Sequence, residues 1–227
     1  MIVNITHESR TIMSNQRHYT RLDQFCLNVD QALQTVFGKP ATTGRAYPAA
    51  SLKEPELTQE DRKHSSGLMR VNHTGEVCAQ ALYHGQGLVS RSPNVKEKMQ
   101  HAMIEEGDHL AWCNERLTEL HSHTSYLNPL WYAGSFAMGV TAGLIGDKWS
   151  LGFLAETENQ VVKHLEHHQL LLPSADQKSQ VILRQMQQDE AQHRDDALDA
   201  GAAELPAVIK TLMRWMSKIM VKTAYWV

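Results

Sequence analysis

One pattern of carboxylates and histidines occurs twice in this chain of 227 residues. Each copy consists of a single glutamate followed about thirty residues later by a Glu-x-x-His motif. Residues three apart lie on one face of a helix, so each motif can present a carboxylate and an imidazole to one centre. Together the two copies supply six ligands, which is the set that binds two metal ions in some four-helix bundles. The candidate metal ligands are Glu76, Glu106, His109, Glu158, Glu190 and His193.

Three of the four glutamates interrupt apolar stripes. Glu106, Glu158 and Glu190 share their helical faces mainly with apolar residues, as expected for faces that turn into a core. Glu76 lies on a mixed, more polar face. An ionised carboxylate is very costly to bury alone, so these groups must be paired, protonated or bound to metal. No Arg or Lys shares the stripes, which disfavours a salt-bridge network without metal.

Other polar residues near the two copies receive weaker interpretations. Three acidic neighbours lack the apolar surroundings of the ligands, and we expect them to be solvated: Glu105, Asp108 and Asp189. We expect Glu156 to face solvent more than Glu158 does. Three further residues are weak candidates for outer positions that orient a ligand or guide electrons: His73, Tyr83 and His164.

Periodicity and capping signals predict an all-α protein. An accessory helix is expected over residues 23–37, followed by a linker rich in proline and glycine. Four bundle helices are expected over residues 58–88, 93–121, 128–172 and 177–201, with N-cap signals at Thr58, Ser92, Asn128 and Ser174. Residues 1–20 are polar and aperiodic, and we expect a disordered extension before a single domain over residues 21–227.

Two apolar segments lie outside this scheme. Residues 130–146 carry no charge and are rich in small residues, which fits either a tightly packed bundle helix or a helix facing lipid or a hydrocarbon ligand. Residues 206–227 combine a basic residue every four positions with Leu, Met and Trp, as in a helix lying on an anionic membrane. An ordinary packing helix with a cationic edge is the alternative. Together the two segments favour peripheral membrane attachment.

Composition limits the remaining functions. The formal net charge of −3 gives no reason to expect nucleic-acid binding. Three cysteines without a Cys-x-x-Cys pair indicate a reducing compartment, and the N-terminus has no secretory signal pattern. Oxygen-rich ligands with two imidazoles suit iron or manganese better than zinc or copper. We expect Glu106 and Glu190 to bridge the two metals, with Glu76 and Glu158 as terminal ligands.

Several stretches resemble the demethoxyubiquinol hydroxylases of ubiquinone biosynthesis: RVNHTGEVCAQALYHGQ, EEGDHL, GLIGDKWSLGFLAETE, DEAQH and KTLMRWMSKIM. The resemblance covers about residue 23 to the C-terminus. It implies a ferritin-like bundle with an accessory N-terminal helix and a C-terminal amphipathic helix. In that family the six ligands match the six residues already identified from spacing.

The resemblance also implies a reaction and a location. Two iron ions per chain would use O2 to hydroxylate the ring of a polyprenylated methoxy-methyl-benzoquinol, with electrons from an external reductant such as NADH. The protein would sit peripherally on the cytoplasmic face of the inner (cell) membrane, with other ubiquinone-biosynthesis proteins as candidate partners. Two alternatives remain at this stage: a ferritin-type iron-storage protein and a non-enzymatic membrane scaffold. A storage protein has no use for a membrane-seeking tail, and a scaffold leaves the doubled ligand array unexplained.

Overall fold

A computed structural model describes residues 19–227, which fold into helices and connecting segments without a β-strand in that range. The expected disorder of residues 1–20 concerns mainly residues 1–18, which lie outside the described range, so it stays a prediction there; Thr20 caps the first helix. The helices are α1 (Arg21–Phe37), α2 (Gln59–Val89), α3 (Pro93–Glu119), α4 (Asn128–Ile145), α5 (Asp147–Leu171), α6 (Gln177–Asp199) and α7 (Ala207–Ala224). The predicted all-α fold is confirmed.

Helices α2, α3, α5 and α6 form the four-helix bundle. They pair as two hairpins, α2 with α3 and α5 with α6, and the hairpins pack against each other. One apolar cluster, which includes Met69, Cys113 and Met186, lies on one side of the bundle centre. A second cluster, which includes Tyr83 and Leu154, lies on the other side. In all four helices the candidate ligands fall between the two clusters in sequence, so the polar centre is enclosed by hydrophobic layers.

The predicted third bundle helix is in fact two helices. The helix is interrupted at Gly146, so α4 ends at Ile145 and α5 begins at Asp147. The φ of Gly146 is 138°, a conformation that is strained for residues with a Cβ. Asn128 does not cap α4, because its side-chain oxygen accepts a hydrogen bond from Thr74 Oγ1 on α2 at 2.9 Å.

The other predicted N-caps differ in outcome. Thr58 and Ser92 cap α2 and α3 as expected. The α6 cap is Asp176 rather than Ser174, and its Oδ1 accepts the backbone N–H of Ser179 at 3.1 Å. The same oxygen accepts a hydrogen bond from the buried Arg116 at 2.8 Å. The capping carboxylate therefore also connects α6 to α3.

Helix α4 lies outside the four-helix core and packs closely on α2. A Cβ at Gly139 would overlap the Leu82 carbonyl, and a Cβ at Gly85 would overlap the Phe136 carbonyl. The two backbones approach this closely because both contact positions are glycine. The opposite face of α4 is exposed and apolar, and includes Leu144. The close packing on α2 agrees with the interpretation of residues 130–146 as a tightly packed helix, and contact of the exposed face with lipid or a hydrocarbon ligand stays a prediction.

Helix α7 covers part of α5. Its Met213 and Met216 point toward the bundle, whereas Leu212 and Trp215 are exposed. The Lys210 carbonyl on α7 lies close to the side-chain amide of Gln160 on α5. The same amide donates to Glu156 at 2.7 Å, and Glu156 is largely shielded from solvent. Glu156 is more exposed than Glu158, as predicted, but it is still largely buried, because helical periodicity does not anticipate a covering helix.

No helix in the described range combines the length and the hydropathy needed to cross a membrane.

Candidate metal centre

The six candidate ligands meet at the centre of the bundle, and all six are buried. Glu76 comes from α2, Glu106 and His109 from α3, Glu158 from α5, and Glu190 and His193 from α6. Each helix of the bundle therefore contributes one part of the doubled pattern.

Glu106 and Glu190 lie between the two imidazoles. His109 Nδ1 is 3.0 Å from Glu106 Oε2 and 3.1 Å from Glu190 Oε1. His193 Nδ1 is 3.2 Å from Glu106 Oε1 and 3.3 Å from Glu190 Oε2. Each of these carboxylates directs one oxygen to each histidine, which is the arrangement that a bridging ligand of two metals needs.

The two halves of the centre are not equally compact. Ligand atoms of Glu76, Glu106, His109 and Glu190 all lie within 4.8 Å of one another, close enough to share one ion. Glu158 and His193 are outside that group. Both carboxylate oxygens of Glu158 are buried without a hydrogen-bond partner among the described residues.

The outer nitrogen of each histidine is held by a carboxylate from the opposite hairpin. His109 Nε2 donates to Asp189 on α6 at 2.9 Å, and His193 Nε2 donates to Glu105 on α3 at 2.9 Å. The hydrogen bond places the proton on Nε2 and leaves Nδ1 free to bind a metal. The sequence predicted that Glu105 and Asp189 are solvated charges, but each accepts a hydrogen bond from a buried histidine.

A signal for this pair was present in the sequence. In both copies an acidic residue immediately precedes the glutamate, giving Glu105-Glu106 and Asp189-Glu190. Periodicity alone placed these acids on the flank of the helix, but each flank faces the other hairpin. The repeat is therefore acid-Glu-x-x-His, and its first residue acts across the bundle.

Asp108 was also expected to be solvated, but it is almost fully buried. The segment between α1 and α2 covers it: the backbone N–H groups of Thr43 and Gly44 donate to Asp108 Oδ1, and Arg45 Nε donates to Oδ2 at 2.9 Å. The linker was correctly predicted to lack regular structure. Its binding to α3 depends on tertiary contacts that local sequence does not reveal.

Burial and repulsion between carboxylates affect Glu76 and Glu158 most strongly. Burial raises the pKa of Glu76 well above its ordinary value, and the charge of Glu106 raises it further. Burial likewise raises the pKa of Glu158, with an added contribution from Glu190. Without metal, the side-chain carboxyl groups of Glu76 and Glu158 therefore favour the protonated form.

The histidines and the central carboxylates behave in the opposite way. Burial lowers the pKa of His109 and His193, but hydrogen bonds to carboxylates outweigh it and hold both pKa values above the ordinary range. Burial raises the pKa of Glu106, but hydrogen bonds from both histidines bring the net pKa well below its ordinary value. Two protonated imidazoles thus replace the positive charge that a metal would supply.

The residues fit a pair of metal ions. Four buried carboxylates and two imidazoles form an oxygen-rich donor set, and no Arg or Lys approaches the ligand oxygens among the contacts of the described residues. Both buried oxygens of Glu158 also lack hydrogen-bond partners within the described range. Such orphaned buried acceptors are costly in a centre without cations.

A largely apolar cavity of about 320 Å³ leads to this centre. Its walls come from α2, α4, α5 and α7, and Glu76 forms part of its lining. Leu130 lies at the exposed edge of the cavity, and a few polar groups, such as Ser135 and Thr157, are set among apolar side chains. The size and composition are those of a site for a mainly hydrophobic small molecule.

None of the three weaker candidates hydrogen-bonds a proposed ligand within the described residues. His73 lies 3.4 Å from the Asn128 amide, and burial lowers its pKa to about 4. The Tyr83 hydroxyl is buried without a hydrogen-bond partner among residues 19–227. His164 lines the cavity, and burial lowers its pKa to about 4. Of the three, only His164 is placed to meet a molecule in the cavity.

The fold and the buried cluster define a class: helical-bundle proteins with a carboxylate–imidazole centre suited to metal ions. Comparison with known families is more specific. Residues 63–224 match the family model described as "Ubiquinone biosynthesis protein COQ7". The chain belongs to this family, as its sequence motifs predict.

Similar curated proteins carry one name. The chain is 53% identical over 211 residues to the 3-demethoxyubiquinol 3-hydroxylase of Nitrosococcus oceani, covering 93% of this chain and 99% of that protein. It is 54% identical over 210 residues to the protein of the same name from Acinetobacter baumannii, covering 92% and 99%. The Coxiella burnetii protein of that name is 51% identical over 214 residues, covering 94% and 99%. These relatives give no support to the iron-storage alternative.

Proposed function

We propose that this chain is a di-iron monooxygenase that hydroxylates the ring of a polyprenylated methoxy-methyl-benzoquinol in ubiquinone biosynthesis. The observation that carries the proposal is the apolar cavity that ends at Glu76, beside the carboxylate–imidazole centre. A storage centre needs a path for ions, whereas this path is suited to a hydrophobic ring.

Two iron ions would be held by the six buried residues. Glu106 and Glu190 would bridge the ions, since each directs one oxygen to each histidine. Glu76 and His109 would complete one metal position, and Glu158 with His193 the other. When bound, the iron pair would supply the chemistry that activates O2 for attack on the ring.

The chain's own residues control access and protons. Asp189 and Glu105 keep the Nε2 protons of His109 and His193 in place, so that Nδ1 faces the centre. The apolar walls exclude water from the ring and the centre. One oxygen atom enters the ring and the other leaves as water, so each turnover takes two electrons and two protons from outside. An external reductant such as NADH would supply the electrons.

The cavity mouth suggests where the prenyl tail goes. Its lining includes residues of α4 and α7, whose outer faces carry exposed apolar residues such as Leu144 and Trp215. Basic residues Arg214 and Lys218 are exposed on α7 beside them. We propose that this combined surface rests on the cytoplasmic face of the inner membrane, so that the tail stays in lipid.

The activity is tested with Fe²⁺-loaded protein, O2, a reductant and demethoxyquinol, followed by mass analysis of the quinone product. A product with one added oxygen is expected, and it should be absent with Glu190→Ala. Iron oxidised far beyond two ions per chain, with the quinol unchanged, would overturn the proposal in favour of storage.

The cavity is tested separately from the metal centre. Gly75 lines the cavity, and a Cβ there would meet open space. Gly75→Leu should fill the cavity and lower hydroxylation at least tenfold while two iron ions still bind. Ala133→Leu, on the exposed face of α4, is the matched control. Unchanged hydroxylation by Gly75→Leu would exclude this cavity as the quinol site.

Attachment is tested by sedimentation with vesicles that contain anionic lipid. The intact chain should sediment, and Trp215→Ser with Leu212→Ser should remain in solution. Sedimentation of the variant to the same extent as the intact chain would exclude α7 as the membrane contact.

A further inference from the structure

The segment between α1 and α2, residues 38–58, contacts α3 directly behind the metal centre. We call it the strap. A Cβ at Gly107 would overlap the Ala41 carbonyl, so glycine allows the strap backbone to lie against the helix. Asp108 then fixes the strap by accepting hydrogen bonds from the backbone of Thr43 and Gly44. The Thr43 hydroxyl donates to the same carboxylate.

The strap places the positively charged side chain of Arg45 at the edge of the metal centre. Arg45 Nε donates to Asp108 at 2.9 Å, and Arg45 Nη1 donates to Asp189 Oδ2 at 2.8 Å. Its guanidinium lies 4.8 Å from the centroid of the Trp112 ring. A planar fork that joins two carboxylates and stacks on an aromatic ring has little freedom to move.

Arg45 also restrains the proposed metal ligand His109, because both donate to the same carboxylate. Asp189 Oδ2 accepts both from Arg45 and from His109 Nε2, while Gln185 donates to Asp189 Oδ1 at 3.0 Å. Both oxygens of this carboxylate are therefore occupied. The imidazole of His109 is consequently held by a carboxylate that cannot easily reorient.

The equivalent position in the other half of the bundle lacks this support. Glu105 accepts from His193 Nε2, but its other ion-pair partner within the described residues is His101, at 3.3 Å. The His101 side chain is 72% exposed. Glu105 thus has fewer fixed partners than Asp189, and its half of the centre is also the less compact one.

We propose that Arg45 is a positioning residue that fixes His109 through Asp189, so that the metal position built on His109 binds its ion more tightly than the position built on His193. The inference rests on the proposed two-metal centre but not on hydroxylation. Changing a residue that orients a ligand typically costs 10–100-fold in metal affinity.

The experiment is a titration of the metal-free full-length protein with Co²⁺, followed by visible absorption in competition with a chelator. Two binding steps of unequal affinity are expected. His193→Ala should keep the tighter step and His109→Ala should abolish it. Arg45→Ala should weaken the tighter step about tenfold, alter its absorption bands and leave the weaker step unchanged.

Further variants separate positioning from a general effect on folding. Arg184→Ala, an exposed arginine on α6, is the charge-matched control and should leave both steps unchanged. Asp189→Asn should weaken the tighter step, and adding Arg45→Ala to it should have little further effect. Arg45→Lys keeps the charge but loses the fork, so its tighter step should fall between those of wild type and Arg45→Ala.

Four results would overturn the inference. The first two are equal affinities for the two steps in the wild-type protein, and weakening of both steps or of neither in Arg45→Ala. The others are additive effects of Arg45→Ala and Asp189→Asn, and, if Arg45→Ala does not fold, wild-type binding by Arg45→Lys. Failure of the wild-type protein to bind Co²⁺ would instead remove the metal centre itself. Binding of two ions without any quinol hydroxylation would leave this inference standing and refute only the proposed function.

Discussion

Glu158→Gln should stabilise the metal-free protein at neutral pH, although it removes a proposed metal ligand. Both carboxylate oxygens of Glu158 are buried without a hydrogen-bond partner within the described range, and burial followed by repulsion from Glu190 raises its pKa well above 4.5. A carboxyl group whose pKa is raised on folding favours the folded state most below its unfolded pKa. The contribution of this group to the free energy of unfolding is lost as the pH rises toward the pKa in the folded state.

The size of the effect has an upper limit. Each pH unit above the ordinary pKa of 4.5 contributes about 1.4 kcal/mol, so the penalty at pH 7 is at most about 3.4 kcal/mol and at pH 5.5 at most about 1.4 kcal/mol. Glutamine has the same shape and no charge. We expect a gain of about 1–3 kcal/mol at pH 7, or roughly 2–10 °C in Tm for a chain of this length.

Thermal unfolding with a chelator present, at pH 5.5 and pH 7, measures this gain. Glu166→Gln, an exposed change on the same helix, is the control and should have little effect. Added Fe²⁺ under anaerobic conditions should stabilise the wild-type protein more than Glu158→Gln, because the variant lacks a ligand. A variant less stable than wild type at pH 7, or a gain that is the same at both pH values, would refute the reasoning.

Three further predictions concern the packing of α4, a buried ion pair and the pH dependence of metal binding. Gly139→Val should destabilise the fold by about 1–3 kcal/mol, because any Cβ there overlaps the α2 backbone, whereas Gly134→Ala has open space and should change it by less than about 0.5 kcal/mol. Urea unfolding compares the two, and equal midpoints would contradict the packing. Arg116→Ala should cost about 3–5 kcal/mol because Asp176 stays buried without its cation. The same assay with Arg184→Ala as control measures this cost, and a loss no larger than the control's would contradict it. The affinity for Fe²⁺ should rise between pH 6 and 8. Burial lowers the pKa of His109 and His193, but hydrogen bonds to carboxylates raise it more, so both imidazoles must lose a proton before they bind metal. Chelator competition measures this, and an affinity independent of pH would refute it.

The structure also shows where helical periodicity stops being informative. Periodicity placed Glu156 on an outward face, but α7 covers that face. It placed Asp189 on a flank, but the flank faces the opposite hairpin and holds His109. It treated residues 128–172 as one helix, although Gly146 ends one helix and separates it from the next. In the first two cases the missing information is the position of a second element, and in the third it is the positive φ of Gly146.

The sequence alone determined the fold class and placed five of the six candidate ligands on apolar, inward faces, because a helix repeats every 3.6 residues and a charged residue within an apolar stripe is visible in the order of residues. The sixth, Glu76, was identified by the repeated pattern. It also indicated the family through motifs spread over most of the chain. The tertiary structure decided the rest: which carboxylates hold His109 and His193, how α4 approaches α2, where the cavity opens, and that Arg45 reaches Asp189 across 144 positions of sequence. These contacts join residues far apart in the chain, and no local rule of spacing encodes which distant backbone will lie beside a given side chain.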